Sequence, residues 1–524
     1  MIKLDVTSDL NYSEKTLKAA VSSLYPVLEE EILDLDIIRR TLSLDGESAK
    51  YKMTLALSLS PEKEEGMLKM KKRVSPYGIR EYKAKEARFS TSPVIVGAGP
   101  AGLFSALALA EAGAKPIILE RGLAVEERMK KVKTFERLGV LDTECNVQFG
   151  EGGAGTYSDG KLKVGKMDDF KYRILKEFVR GGADLEICYS DTAHLGTDRL
   201  PQIVKSIREK IRALGGEIHF GARFTAFKIK DSRIVSVLYT KDGEEREIPT
   251  DTVLFGIGHS ARDTFSYLNS IGVQMESKPF GIGARIEHPR EYINSLIYKN
   301  HKDEGLETAS YHLVTHLKNN RSVYSFCMCP GGTVVAATSH EGAVVTNGMS
   351  EYKRDADNSN SALLVSVTPA DFGADPLSGF LYQENIEKRA FSVFGDYKAP
   401  AIRLDDFLSE QSGTDFASVK PSYARGAVKS SLNSVLPDFV ISSLREGIRE
   451  FDAWLPGFYL PDAVLTGAET RSTSPVRILR KENFESVSLS GLYPIGEGAG
   501  YAGGIVSSAY DGIRAANEII EKNL

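Results

Sequence analysis

The sequence predicts an α/β protein. A Rossmann-like dinucleotide-binding domain, discontinuous along the chain, carries an inserted α+β substrate domain and follows a small N-terminal α+β domain. Three observations support this. Residues from 93 read as strand, glycine-rich turn, helix and strand, the pattern of a βαβ unit and hence of a parallel sheet. A second glycine-rich strand-to-helix turn lies near the C-terminus, and the long stretch between the two alternates like sheet and carries no nucleotide signature.

The elements follow in order. In residues 1–88, Ile2, Leu4 and Val6 alternate as in a strand, and Leu17, Ala20, Val21 and Leu24 recur at helical spacing. Strand-like runs follow at 33–38 and 51–59. The Lys/Glu-rich stretch 61–88 has few large apolar residues and is expected to be a linker or exposed arm. Residues 89–275 form the first part of the dinucleotide domain: strand 93–96, turn 97–102, helix 103–112 and strand 115–120. Helix 200–214, strand 217–220, an antiparallel ribbon over 224–248 and a buried strand at 252–255 complete it. Residues 276–455 are the expected substrate domain, with strands near 322–328 and 333–338 and helices near 375–396 and 435–450. Residues 456–524 return to the dinucleotide domain through strand 489–495 and a final helix, 505–523, with Ile505, Ala509, Ile513, Ala516 and Ile520 on its apolar face.

Composition narrows the function. The 524 residues are 42% hydrophobic and 26% charged, the balance of a folded globular chain with room for about three domains. Lys and Arg number 66 against 71 Asp and Glu, a net charge of −5, so no polyanionic partner is required and nucleic acid is not the first expectation. Four cysteines are too few for a secreted disulfide framework, and the N-terminus lacks a cationic, then apolar leader, so the cytoplasm is expected. The stretch 94–119, nearly free of charge, is broken by glycines and Pro100, which argues against a membrane span. A small-molecule substrate is the expected partner. Oligomeric state is not legible.

The strongest motif is Gly97-Ala-Gly-Pro-Ala-Gly102, answered by Glu120 and Arg121 at the end of the next strand. Gly97, Gly99 and Gly102 permit a tight turn, close approach to a pyrophosphate and close helix packing. Pro100 and Ala101 open the helix whose free amides attract that anion. Glu120 is expected on ribose hydroxyls, which favours a ribose without a 2′-phosphate. The C-terminal Gly491-Leu-Tyr-Pro-Ile-Gly496-Glu-Gly-Ala-Gly-Tyr-Ala-Gly503-Gly-Ile505 suits a ligand longer than NAD, so the cofactor is expected to be FAD. Gly496 and Glu497 would meet the ribityl chain. Gly503, Gly504 and Ile505 would aim the last helix at the flavin pyrimidine.

Further segments carry a resemblance: Asn146-Val-Gln-Phe-Gly-Glu-Gly-Gly-Ala-Gly-Thr-Tyr-Ser-Asp-Gly-Lys161, Gly258-His-Ser-Ala-Arg-Asp-Thr264, 278–289, Phe326-Cys-Met-Cys-Pro-Gly-Gly332 and Glu469-Thr-Arg-Ser-Thr-Ser-Pro475. With the C-terminal cluster, they resemble the bacterial FAD-dependent dehydrogenase-like flavoproteins, which are related to glutathione-reductase-type FAD-binding enzymes and geranylgeranyl-reductase-like proteins. The resemblance spans 90–524. It implies bound FAD, with Gly152, Gly153, Ala154, Gly155, Thr156 and Ser158 forming a loop against the flavin's reactive edge, and it supplies no substrate. Gly258 transfers as a cofactor contact. Phe224 is a candidate adenine-side contact and equally a core aromatic.

Candidate catalytic groups are few. His259 follows Gly258, yet Ser260-Ala-Arg-Asp263 resembles a capping box, so a helix start is the favoured role. Cys327 and Cys329 invite an electron relay, but on a flat strand such a pair rarely closes a disulfide without distortion, which favours buried structural thiols. His312 and His316 lack a third ligand, and no metal is expected. Arg285, Arg425, Arg471 and Arg477 could hold an anionic group, with Arg471 the strongest candidate. Gly281-Ile-Gly-Ala-Arg lacks a third glycine and a following helix, so NAD(P)H would dock only transiently, from the substrate side. The expected function is thus an FAD-dependent oxidoreductase moving hydride between flavin N5 and a small molecule. The alternative is a binding or RNA-associated protein with a structural flavin, for which Lys69, Lys71, Lys72 and Arg73 form the one notable basic run.

Overall fold

The computed structural model describes residues 1–70, 73–78, 82–163, 165, 167–411 and 413–524. Lys71 and Lys72 of the basic run therefore lie outside the described residues. The first unit is a four-stranded antiparallel sheet in the order 34–43, 50–58, 2–9, 74–76. Helix Glu14–Leu24 covers it, with Ser13 and Thr16 closing a capping box.

The expected linker is partly structured. Helix Pro61–Leu68 is capped by Ser60 and begins on a proline, and strand Val74–Pro76 joins the sheet edge. Met67 and Val74 are buried there, and so few apolar residues in a Lys/Glu-rich stretch left the pattern unreadable. Arg40 clasps this unit to the segment around 186–191. It lies over the rings of Tyr12, Tyr51 and Tyr189 and pairs with Glu186.

The dinucleotide signature sits in a five-stranded, wholly parallel sheet ordered 492–494, 253–255, 94–96, 117–120, 217–220. A strand from near the C-terminus thus pairs beside strands from 94 and 253. Helix Pro100–Glu111 packs against the final helix, Ile505–Lys522, so closely that a Cβ on Gly512 would stand 2.2 Å from the Ala101 carbonyl oxygen. An antiparallel ribbon, 222–230, 233–241 and 244–249, lies beside the sheet.

The second large layer is a seven-stranded sheet ordered 314–316, 322–329, 358–367, 280–289, 464–469, 399–403, 427–429. Gly281-Ile-Gly-Ala-Arg lies within its central strand, Phe280–Pro289, where a Cβ on Gly283 would meet the Leu363 carbonyl oxygen at 1.9 Å. These glycines serve strand packing. Strand Val464–Glu469 pairs in this sheet with 280–289 and 399–403, beyond the boundary expected at 455. Its residues are all buried, Thr466 and Glu469 included, and a strand buried on both faces does not announce which sheet it joins. Among the described residues, no helix is long and apolar enough to cross a membrane.

Candidate functional site

A cavity of about 420 Å³ opens at the carboxyl ends of the parallel strands, where open α/β sheets bind their ligands. The turns after strands 94–96, 253–255 and 492–494 form one side, and the seven-stranded sheet supplies the far wall.

The first turn divides the labour among its glycines. Gly97 has φ 101°, and a Cβ there would meet the Gly256 carbonyl oxygen at 2.3 Å; one on Gly102 would meet that of Gly97 at 1.9 Å. Both serve protein packing, and Gly102 does not line the cavity. A Cβ on Gly99 would meet only the Gly153 Cα, at 3.9 Å, so its missing side chain leaves room for a ligand. Gly99 is the N-cap of helix 100–111, with no side chain capping the amides.

Glu120 lines the cavity but is 5% exposed. Its carboxylate accepts the backbone N–H groups of Ala98 at 2.8 Å and of Gly122 and Gly150 at 2.9 Å each. It therefore ties the first turn to the loop at 150, an engagement the ribose expectation did not include. Arg121 pairs with Glu144 and Asp263 and lies over the Phe149 ring at the cavity edge.

The loop 146–158 is built around a residue that the motif search missed. Arg128 is fully buried and donates to the carbonyl oxygens of Asn146, Val147, Gly150, Glu151 and Gly153 at 2.7–3.2 Å. The available signal was its place in the buried stripe Val125, Arg128, Val132, Phe135 of helix Val125–Leu138. Gly153, Ala154, Gly155 and Ser158 line the cavity. Gly152 and Thr156 lie behind it, where a Cβ on Gly152 would meet Thr156 Oγ1 at 2.2 Å; they support the loop and do not face the ligand space.

At the C-terminal cluster, Gly496 packs on Ala101 and donates its N–H to Asp511. Glu497 lines the cavity 3.5 Å from His259 Nδ1. Gly503, Gly504 and Ile505 line it at the start of the final helix, and a Cβ on either glycine would meet no backbone atom within 4 Å. Gly258 has the same open space. Phe224 is a core aromatic, its ring packing on Phe227, Phe255 and Tyr267, and it also lines the cavity.

The capping box expected at Ser260 does not form. Helix Arg262–Ser270 starts after Ala261 with no side-chain cap, and Ser260 donates to Gln148. His259 is 9% exposed on the cavity wall, and its Nε2 has no partner. Arg471 reaches the cavity held by Glu387 through two bonds of 2.9 Å and donates to Ser339 and Ser260. Arg285 is fully buried on Glu469, while Arg425 and Arg477 pair with Asp396 and Glu276. Those three are structural.

Tyr311, His312, Phe326, Cys327 and Asn347 complete the far wall. His312 lines it, whereas His316 lies on strand Val314–His316 and bonds Ser322; among the described residues no three candidate ligands converge on a metal. Lys161 also lines the wall. It donates to the Met328 carbonyl oxygen, and burial pushes its ammonium below the usual value.

Comparison with known proteins adds two family matches. A family described as "FAD binding domain" matches residues 90–253, and one described as "FAD-dependent protein, C-terminal domain-like" matches 279–472. A protein of Clostridium beijerinckii (strain ATCC 51743 / NCIMB 8052), described as "Uncharacterized protein", is 44% identical over 530 residues, covering 99% of this chain and 98% of its own. Among solved structures, the flavin-dependent brominase Bmp2 aligns at 12% identity and TM-score 0.38 over 82% of this chain and 79% of that one. Glycine oxidase from Bacillus cereus ATCC 14579 aligns at 13% identity and TM-score 0.31 over 83% and 96%.

Proposed function

The chain belongs to a family of FAD-dependent proteins, and from that premise we propose that it is an oxidoreductase exchanging hydride between flavin N5 and a small molecule seated on the wall of the seven-stranded sheet. The carrying observation is the pairing of two helix N-termini without side-chain caps, at Gly99 and Gly504, both lining the cavity at glycines where a Cβ would meet no backbone nitrogen or oxygen. That arrangement fits a ligand bearing anionic groups at two places. Gly99, Pro100 and Gly258 would hold the pyrophosphate, Arg121 and Phe224 would flank the adenine end, and Gly153 to Gly155 with Gly503 and Gly504 would flank the ring.

FAD, when bound, supplies two-electron transfer. The protein's own part is to place and desolvate the substrate. Arg471 presents a guanidinium held in place by Glu387, a carboxylate it shares with Arg262. His259 lines the cavity with its Nδ1 3.5 Å from the Glu497 carboxylate, so it would position Glu497 beside the ligand. With no second nucleotide fold in the seven-stranded sheet, an NAD(P)H donor would dock transiently from this same side.

The test is the visible spectrum of freshly purified protein, followed by anaerobic mixing with NADH, NADPH and candidate metabolites. A flavin spectrum bleached by one of them is the expected result. Colourless protein that does not take up excess FAD overturns the reading.

A further inference from the structure

Strand Ser322–Cys329 changes character where it reaches the cavity. It pairs regularly with strand Asn358–Val367 from Val323 to Phe326, then shifts register, so that three steps from Phe326 to Cys329 answer two from Ala362 to Asn360. Cys327 sits in this bulge with φ 43°, a conformation that costs a side-chain-bearing residue energy and is held by its surroundings. The bulge leaves Cys327 half-buried on the cavity wall and Cys329 fully buried behind it.

The two cysteines are locally linked: the Cys329 thiol donates to the Cys327 carbonyl oxygen at 3.2 Å. On a flat strand, positions i and i+2 are about 6.6 Å apart at Cα, near the upper limit for a disulfide. The register shift and the left-handed backbone at Cys327 mean that this pair does not sit on a flat strand, the geometry on which the sequence-based objection rested.

Cations gather at the same spot. Lys161 donates to the carbonyl oxygen of Met328, between the cysteines, and among the described residues no carboxylate pairs with its ammonium. Arg285 donates to the Cys327 carbonyl oxygen at 3.0 Å. The neighbouring Cys329 side chain, together with the Arg285 and Lys161 charges, brings the Cys327 thiol down to about 7, while the same pairing drives Cys329 up. Burial pushes Cys145 and Cys188 up.

We propose that Cys327 and Cys329 are a redox-active dithiol that reduces a small disulfide bound in the cavity and is returned to the dithiol by the reduced flavin. The Cys327 thiolate attacks one sulfur of the disulfide, releasing a first thiolate and forming a mixed disulfide. Cys329, losing its proton, attacks Cys327, releases the second thiolate and closes the 327–329 bond. Two protons from the protein and solvent complete the two product thiols. Two electrons and two protons, supplied by the reduced flavin and solvent, reopen the pair. The inference rests on the reading above for its electron source alone.

The experiment uses the holoprotein, reduced, desalted anaerobically and mixed with oxidised glutathione, then alkylated and analysed by intact mass and peptide mapping. Wild type is expected to lose two alkylation sites and yield a peptide linked between 327 and 329. C329S is expected to stop at a glutathione adduct on Cys327, C327S to give neither product, and C188S to behave as wild type. Wild-type protein that keeps Cys327 and Cys329 fully alkylatable overturns the dithiol, whether or not FAD is bound. Reductive titration of the oxidised holoprotein then tests the link to flavin. Wild type should accept twice the electrons that C327S accepts, and equal uptake would overturn that link.

Discussion

A fully buried guanidinium persists only if its donors are satisfied, and Arg128, which forms no salt bridge among the described residues, meets that condition by holding five carbonyl oxygens of one loop. Arg128→Met leaves those acceptors unpaired. We expect it to cost about 3 kcal/mol of stability and to release FAD on dialysis; unfolding and bound-flavin content measure the two effects. Arg128→Lys keeps the charge but not the planar fork, and should rescue little. Glu120→Gln replaces one acceptor oxygen with a donor that confronts a backbone N–H, and is expected to weaken FAD binding by about 1–3 kcal/mol. Flavin retention unchanged through dialysis would count against that coupling. Glu120 was legible because it ends a strand after a glycine turn, a spacing with a chemical meaning. Arg128 was not, because its partners are backbone oxygens, which leave no trace in side-chain sequence, and one charged residue in an apolar stripe resembles a tolerated irregularity.

At the scale of elements, the final helix separates packing from ligand binding within one segment. A Cβ on Gly512 would stand 2.2 Å from a backbone oxygen of the first dinucleotide helix, whereas one on Gly504 would meet only Ser507 Oγ, at 3.8 Å, from an extended backbone that any residue adopts. Gly512→Val should therefore force the helices apart and destabilise the protein by roughly 3 kcal/mol. Gly504→Val should leave stability within about 0.5 kcal/mol and weaken FAD binding by about tenfold or more, because its side chain enters the cavity. Thermal unfolding without cofactor and flavin titration separate the two effects; equal loss of stability in both variants would refute the division. Such helices were readable because apolar residues recur at their period. Strand Val464–Glu469 was not read from the sequence, since its buried run mixes Thr466, Gly467 and Glu469 with apolar residues and its partners lie far away in the chain. The bulge at Cys327 was invisible for the same reason, as it exists only against strand Asn358–Val367.

Across the whole molecule, the two large layers are joined at Glu387. This carboxylate, on helix Ser378–Ser392, is fully buried and receives Arg471, which follows the seven-stranded sheet, and Arg262, which starts the helix after the parallel strand 253–255. Burial alone would raise its pKa, but the Arg471 and Arg262 charges outweigh burial and hold it far below the usual carboxylate range. A carboxyl depressed in the folded state contributes stability fully above its unfolded pKa, about 4.3, and that contribution drains away as pH falls further, because the unfolded chain binds the proton first. Glu387→Gln should therefore cost about 3–5 kcal/mol near neutral pH, where two guanidinium groups face each other without their shared anion. The gap from wild type should narrow steadily below about pH 4. Urea unfolding of both proteins from neutral pH down to about pH 3 measures that gap. The clamp also carries Arg471 into the cavity, so the neutral variant should lose substrate-side binding along with stability. A gap that stays constant through the acid range would instead assign the energy of this junction to packing, with the ion cluster contributing shape and not charge.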